Sequence, residues 1–426
     1  MILLDFLGQI VFTVLSVIGF ILTFFSILLL VLSLSSRIEL KRRMTLLYPN
    51  PRLVILIAAY KPNSFLLTVL HRLMEARALL RHPNLQSEIV VLFQDTAPEL
   101  VAKAKALPIT VLEASFQHLS GNPYHHALRY AVSQIDEMDF HPSHLLLLDK
   151  DNLPEINYFE KLLPHLHTSA DLIQGKRLPL NVSNASEQFD FISEHLNDRM
   201  FRLGLLRLGG ELEISGSGVT FRYERFREAI QTLDSRSPGM DKSLMIELYK
   251  KRFVSIFAPE LVVYEEKSAE PTILEKQRIR WLGAQYFNAF CHALDLILSS
   301  LREKWIAPLL YLIVLLRPPR SVHALIAWAV TGVEIIYFFI YSTFPNHLIL
   351  GVPFGIFNSL CLIVSALLIS ESPLVRKSML QMALHLPDFG LRIFRSTLQG
   401  LKRENQGKFI HTVHHFHDTT LRTEHQ

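Results

Sequence analysis

Short apolar runs and helical repeats alternate along the first half of the chain. Residues 53–59 (LVILIAA) form an unbroken apolar run between Pro51 and Pro62, as expected of a strand buried on both faces of a parallel sheet. Residues 65–80 repeat with helical period, 88–93 (EIVVLF) read as a second strand, 98–106 as a short helix and 109–112 as a third strand. A helical repeat at 125–135 then precedes 144–148 (HLLLL), a fourth strand. This alternation predicts an α/β sheet with right-handed crossovers. Ligands on such sheets bind beyond the carboxyl ends of the strands.

A second class of apolar run is much longer. Residues 10–34 carry no charge and are long enough to cross about 30 Å of hydrocarbon. The length, the absence of a basic stretch before it and the presence of Arg37, Lys41, Arg42 and Arg43 after it favour an anchor over a cleaved signal peptide. Residues 322–341 and 347–369 predict a helical hairpin, giving three spans in all, and 283–298 and 305–316 read as helices lying in the membrane surface. Arg37 to Arg43, Arg317 with Arg320, and Arg376 with Lys377 all fall on one side if the chain runs outside, in, out, in. Residues 37–321 and the tail are then cytosolic, on the inner face of a cell (inner or plasma) membrane, and the sequons at Asn181 and Asn184 stay unmodified. Glu334 inside a span calls for a polar lining or, more simply, a hydrogen bond within the helix bundle.

Composition fits this division. Half of the 426 residues are hydrophobic, and the mean hydropathy is +0.25. The net charge of +4 is better explained by a basic collar beside the membrane than by nucleic-acid binding. Two distant cysteines, Cys291 and Cys361, supply neither a disulfide framework nor a cysteine-based zinc site. The expected organisation is an N-terminal anchor (1–36), a cytosolic domain (37–281), interfacial helices (282–321), a membrane hairpin (322–370) and a cytosolic tail (371–426).

The candidate chemistry lies where the strands end. Tyr60 follows the first, Gln94 and Asp95 the second, and Asp149-Lys150-Asp151 the fourth. Acidic residues straight after buried strands suit a nucleotide and a divalent cation better than they suit packing. Asp149 and Asp151, at i and i+2 of an extended segment, can face one Mg²⁺ or Mn²⁺, which would offset charge on a departing diphosphate. Gln277-Arg278-Ile279-Arg280-Trp281 offers donor forks for phosphate and an indole for a sugar face or a membrane interface. Asp241 is placed to take a proton from an acceptor hydroxyl or to cap the helix expected over 243–250. The histidines within 408–417 (KFIHTVHHFH) are too crowded for a convincing tetrahedral metal set.

Taken in order, Asp95, Asp149-Lys150-Asp151, Asp241 and QRIRW at 277–281 resemble the membrane-integrated family-2 glycosyltransferases: cellulose, chitin and hyaluronan synthases, bacterial exopolysaccharide relatives and ceramide glucosyltransferase. Gly216-Ser217-Gly218 and Tyr264-Glu265-Glu266 share in the resemblance, which covers about 53–281. It implies a nucleotide-sugar-binding α/β domain with a mostly parallel sheet, about three transmembrane helices and interfacial helices. It also implies a UDP-sugar donor, with Tyr60 and Asp95 on the donor side and Asp95 at the uridine. Asp149 and Asp151 would hold diphosphate and metal, and Gln277, Arg278 and Arg280 the pyrophosphate. Asp241 would be the general base and Trp281 the acceptor floor, with inversion at the anomeric carbon. Departures from the family pattern are Ala58-Ala59-Tyr60-Lys61-Pro62, Gln94 before Asp95, Met240 before Asp241, and Tyr124 where a phosphate-binding lysine is usual, followed by His125 and His126. The expected activity is extension of a surface poly- or oligosaccharide. The alternative is a single transfer to a membrane lipid, and an inactive scaffold is the weaker third reading.

Overall fold

The computed structural model describes residues 2–39, 44–80, 85–180, 182, 184–265, 271–344 and 348–402, with side chains from residue 17 onward and excepting those of residues 271 and 348. The basic residues Lys41 to Arg43, the sequon at Asn181, Glu266 and the histidine-rich 408–417 lie outside it.

An eight-stranded sheet carries the first half. Its strands are β1 (Arg52–Tyr60), β2 (Gln86–Gln94), β3 (Thr110–Glu113), β4 (His144–Leu148), β5 (Leu153–Pro154), β6 (Leu172–Pro179), β7 (Val219–Arg222) and β8 (Ser255–Glu265), in the order β3-β2-β1-β4-β7-β6-β8-β5. The β3-β2-β1-β4 and β6-β8 pairings are parallel; β7 runs antiparallel to both neighbours and β5 antiparallel to β8. The four strands expected from the apolar runs are therefore all present and mutually parallel.

The period of two along β1 explains why its apolar run is unbroken. Val54, Leu56 and Ala58 enter a core on one face, with α4 (Pro123–Asp136), α8 (Tyr223–Thr232) and α9 (Met240–Tyr249). Leu53, Ile55 and Ile57 enter the core on the other, with α2 (Phe65–Leu79), α3 (Pro98–Lys105) and α5 (Tyr158–Leu166). Covered on both faces, the strand has no polar position to offer.

The remaining helices build a second layer beyond the carboxyl ends of β1 and β4. They are α1 (Ile2–Ser35), α6 (Ala185–Asn197), the short α7 (Leu205–Arg207), α10 (Pro271–Cys291), α11 (Ala293–Glu303), α12 (Ala307–Leu315), α13 (Arg320–Tyr341), α14 (Phe354–Ile369) and α15 (Pro373–Gly400). A π-helical turn, Asp198–Gly204, joins α6 to α7. Its Gly204 meets α1 so closely that a Cβ there would collide with the Leu32 carbonyl oxygen. Asn184 caps α6 in a capping box with Glu187.

Several membrane-segment expectations change. Val17–Ser35 within α1 and Arg320–Tyr341 are the two described helices long and apolar enough to span a bilayer. The third expected span is shorter, because Gly351 (φ +81°) and Pro353 turn its start into a hairpin of β9 (Leu348–Ile349) and β10 (Val352–Pro353), leaving 16 helical residues. The apolar run at 305–316 is not a surface helix: α12 is buried, and Tyr311 stacks on Tyr249 with ring centroids 4.7 Å apart. The run at 283–298 is broken at His292 between α10 and α11, and α11 does present an exposed apolar stripe of Leu294, Leu298 and Leu301. The segment read as the start of a tail is instead a 28-residue helix, α15, packed on α10 and α13 with Leu380 and Leu384 exposed. Glu334 follows the simpler expectation. Its carboxylate accepts from Gly355 N (2.7 Å) and Ile356 N (3.0 Å), closing the start of α14.

Candidate active site

A cavity of about 580 Å³ opens at the carboxyl end of the sheet and is lined by Tyr60, Asp149, Asp151, Asp241, Gln277, Arg278, Arg280 and Trp281 together. Eight of the nine expected site residues thus converge, although more than two hundred positions separate the first from the last. The ninth, Asp95, is one residue past the Gln94 that pairs in register with Tyr60. It is exposed, outside the cavity wall, at φ +48°, with Ser115 Oγ donating to its carboxylate at 3.1 Å.

The Asp-Lys-Asp step is held from both ends. Asp149 N donates to Asn152 Oδ1 (3.0 Å) and Asn152 N returns a bond to Asp149 O (3.1 Å). Lys150 Nζ donates to the carbonyl oxygens of Tyr60 (2.8 Å) and Lys61 (3.2 Å), fastening the loop to the end of β1. Both aspartates titrate above the usual carboxylate range. For Asp149 the causes are burial and then the Asp151 charge; for Asp151 they are burial and then Glu265. Arg177 opposes the rise at each. It sits between Glu265 (3.1 Å) and Glu194 (3.3 Å), and although burial works against its charge, the surrounding carboxylates outweigh that and keep it protonated. Lys150 also opposes the rise at Asp151, yet both carboxyls stay raised, so their negative charge is only partly met at this end of the cavity.

That imbalance is the test for a divalent ion. Among the described residues no three His, Cys, Asp or Glu side chains are grouped as a metal-binding set. The protein's share would be the two carboxylates of Asp149 and Asp151, which fits Mg²⁺ or Mn²⁺ completed by substrate phosphates and water. Tyr124, where the family pattern has a lysine, is half-buried with its hydroxyl enclosed beside Asp149. Burial, and then the Asp149 charge, hold its phenol neutral.

Asp241 lies in the first turn of α9, one residue past Met240, and Gly239 holds the cap position. It therefore does not cap the helix with its side chain, and its carboxylate is left to face the cavity. Lys242 Nζ approaches it at 3.3 Å and reaches Glu213 at 2.6 Å. Glu213 also pairs with Arg317 (3.0 Å). Burial works against the Glu213 charge, but Arg317 and Lys242 prevail and lower its pKa to about 2. The Gly216-Ser217-Gly218 loop passes beside Asp241. Both glycines have positive φ (+88° and +62°), and a Cβ on Gly216 would come 3.7 Å from the Asp241 Cβ.

QRIRW lies within α10, not ahead of it. Arg278 lines the cavity but is tied to Asp190 at 2.7 Å and packs over Trp281 (4.8 Å) and Phe189 (5.5 Å). Arg280 is half-buried; desolvation lowers its pKa, opposed by the charges of Asp241 and Asp149. It therefore stands electrostatically between the proposed base and the acidic pair. Sequence reasoning missed Arg177, Glu213, Lys242 and Glu194. They are isolated charges without motif spacing, and only Lys242, next to Asp241, had a local cue.

Toward α13–α15 the lining turns apolar, through Leu29, Ala324, Trp328, Leu362, Met382 and Leu386. Carboxylates and apolar helices thus bound one continuous space.

A family model described as Glycosyl transferase family group 2 matches residues 144–364, which hold the site from Asp149 to Trp281. No curated protein sequence matches the chain. Among solved structures, a mannosyltransferase from Pyrobaculum calidifontis in complex with GDP-Man and Mn²⁺ is 14% identical. The likeness covers 91% of this chain and 100% of that one, with a TM-score of 0.52. S. aureus TarS 1–349 in complex with UDP-GlcNAc is 9% identical over 58% of this chain and 66% of its own, with a TM-score of 0.37. Glucosyl-3-phosphoglycerate synthase from Mycobacterium tuberculosis, with Mn²⁺, UDP and phosphoglyceric acid, is 12% identical over 58% and 80%, with a TM-score of 0.40. The first of these likenesses shows a shared GT-A-like α/β fold with a mostly parallel sheet.

Proposed function

From the premise that this chain belongs to glycosyl transferase family group 2, and is therefore a nucleotide-sugar-dependent transferase, we propose that it moves a hexose from a UDP-sugar to a hydroxyl on a membrane lipid, with inversion. The observation that carries this reading is the continuity of the cavity from Asp149 and Asp151, past Asp241 and Trp281, to the apolar wall of Leu362, Met382 and Leu386. An acceptor that keeps its chain among α13–α15 can bring its head to Asp241 without leaving the protein.

In this reading the diphosphate lies against Asp149, Asp151 and Arg280, and Tyr60 and Asp95 sit on the nucleoside side. A bound Mg²⁺ or Mn²⁺ supplies Lewis-acid stabilisation of the departing diphosphate. Asp241 accepts the hydroxyl proton as the acceptor oxygen bonds to the anomeric carbon and the carbon–oxygen bond to the diphosphate breaks. Lys242 and Glu213 orient that carboxylate, Arg278 braces Trp281, and the indole receives the sugar face. Attack opposite the leaving group yields a β-linkage from an α-linked donor.

Membrane placement belongs to the same proposal. Two helices long enough to cross, the exposed leucines of α11 and α15, and the basic Arg37, Arg376 and Lys377 support a multi-pass enzyme of the inner or plasma membrane with its catalytic domain cytosolic. The domain division given above is kept, with α12 moved into the catalytic core and α15 added to the membrane-proximal layer.

Extension of a surface poly- or oligosaccharide remains the second reading. It is supported by Trp281 and Trp328 on the same cavity, two surfaces on which sugars could stack. Purified protein in lipid nanodiscs should release UDP from one of UDP-glucose or UDP-N-acetylglucosamine with Mn²⁺. Radiolabelled product of a single sugar on lipid supports the first reading, a ladder of lengths the second. No release from either these donors or GDP-mannose would leave the scaffold reading standing.

A further inference from the structure

Between the acidic and apolar ends of the cavity lies a belt of guanidinium groups, and one of them is built differently. Arg177 faces Glu194 and Glu265, Arg202 faces Glu194 and Asp198, Arg278 faces Asp190, and Arg317 faces Glu213. Arg320 has no carboxylate partner among the described residues. Its Nη2 donates only to neutral oxygens, Asn197 Oδ1 (2.9 Å), Ser193 O (3.1 Å) and Ser193 Oγ (3.3 Å). Its Nη1 is buried with no acceptor among the described residues. A buried, unsatisfied donor on a charged group is costly unless something arrives to meet it.

Its surroundings add to the demand. Arg317 and Arg320 lie over the same Phe201 ring, 4.2 and 5.4 Å from its centroid, so two like charges share one support. The nearby carboxylates are already engaged, Glu213 by Lys242 and Arg317, Glu194 by Arg177 and Arg202. Arg320 is also the first residue of α13, where the helix start contributes further positive potential. Down the same helix, Ser321, Ala324 and Trp328 line the cavity toward its apolar end. The guanidinium therefore stands at the junction where a head group would meet its hydrocarbon.

We propose that Arg320, backed by Arg317, receives a phosphate oxygen of the acceptor, which is a phosphate-bearing membrane lipid whose chain fills the apolar end of the cavity. This rests on the lipid-acceptor reading and narrows it to an anionic class. The phosphate is recognised at Arg320; the glycosidic bond forms elsewhere, beside Asp241. Nη1 is the prong left for a phosphate oxygen, held in a fixed plane that a guanidinium supplies and an ammonium does not.

The test uses the full chain in phosphatidylcholine nanodiscs doped with phosphatidylglycerol, phosphatidylinositol or diacylglycerol, each of which carries a free hydroxyl and of which only the first two carry a phosphate. Lipid retention is read by native mass spectrometry, Mn²⁺-dependent UDP affinity by calorimetry, and UDP-sugar turnover by nucleotide release. One of the phosphate lipids should be retained and should stimulate turnover at least about tenfold better than diacylglycerol, the size expected of a charge-assisted hydrogen bond. Which of the two does so identifies the source of the phosphate. Arg320→Gln should abolish that preference and leave UDP affinity unchanged, and Arg320→Lys should restore it only in part. Equal use of diacylglycerol, an intact preference in Arg320→Gln, or equal competition by inorganic phosphate lacking a chain would overturn the proposal while leaving the transferase reading in place. Loss of UDP binding by the unmodified protein would overturn that broader reading. If Arg320→Gln does not fold, the lipid preference of the unmodified protein decides alone.

Discussion

Two buried clusters of charge face the same cavity and are balanced in opposite senses. Around Asp149 and Asp151 the carboxylate charge is under-met: burial and a neighbouring acid, Asp151 for Asp149 and Glu265 for Asp151, push both carboxyls up, and Arg177 and Lys150 compensate only in part. Around Glu213 the bases win, and Arg317 with Lys242 pulls its pKa down to about 2. Both clusters are made of the same side-chain types at similar depth. The difference shows that a buried carboxylate fully met by protein is a clasp, whereas one left under-met is a site awaiting a cation.

The contrast breaks first on activity. Asp151→Asn should lower nucleotide release by roughly 10³-fold, the size expected when a metal's several kcal/mol of charge stabilisation is lost, while the melting temperature of the metal-free protein at pH 7 rises, because an under-met buried charge is removed. Asp241→Asn should cost about 10²–10⁴-fold in kcat while UDP affinity stays as it was. Full activity at normal expression would remove Asp241 from the role of base. Glu213→Gln should act on the other cluster, costing about 3–5 kcal/mol by leaving Lys242 and Arg317 short of their counter-charge, as measured by denaturant unfolding.

The pH dependences should run in opposite directions. The depressed pKa of Glu213 means that its contribution is in place above the ordinary glutamate value of about 4.3 and is lost as pH falls through about 2. The stability gap between the unmodified protein and Glu213→Gln should therefore close across that acidic window. The raised pKa values of Asp149 and Asp151 mean that metal-free stability is greatest below the ordinary aspartate value of about 3.9 and declines as pH rises through their raised range. The smallest effect follows: Mn²⁺ should raise the melting temperature more at pH 7 than at pH 5, by a few degrees. An equal increment at both values would mean that the ion is not held by this pair.

These two clusters were unequally legible in the sequence. Asp149 and Asp151 stood out because they follow a five-residue buried strand, where acids have no packing reason to be. Glu213 lies in a stretch without period, and its partners Lys242 and Arg317 are 29 and 104 positions away, joined only by folding. The parallel strands were readable because apolar runs bounded by proline have few other uses. The apolar helices were not, since α12 in a protein core and a helix at a membrane surface show the same composition. Only Tyr311 stacked on Tyr249 tells them apart. The expected third span is shortened to 16 helical residues at Gly351 and Pro353, whose backbone preferences outweigh the hydropathy around them.

Glu334 has a consequence for how the chain reaches its final state. In the proposed membrane placement its carboxylate is tolerable in oil only once Gly355 and Ile356 offer their amide hydrogens, and those amides are tolerable only once Glu334 arrives. Neither helix is a fit passenger by itself. Placed so, the pair should leave the insertion machinery together as one folded unit, with both helices made before either settles.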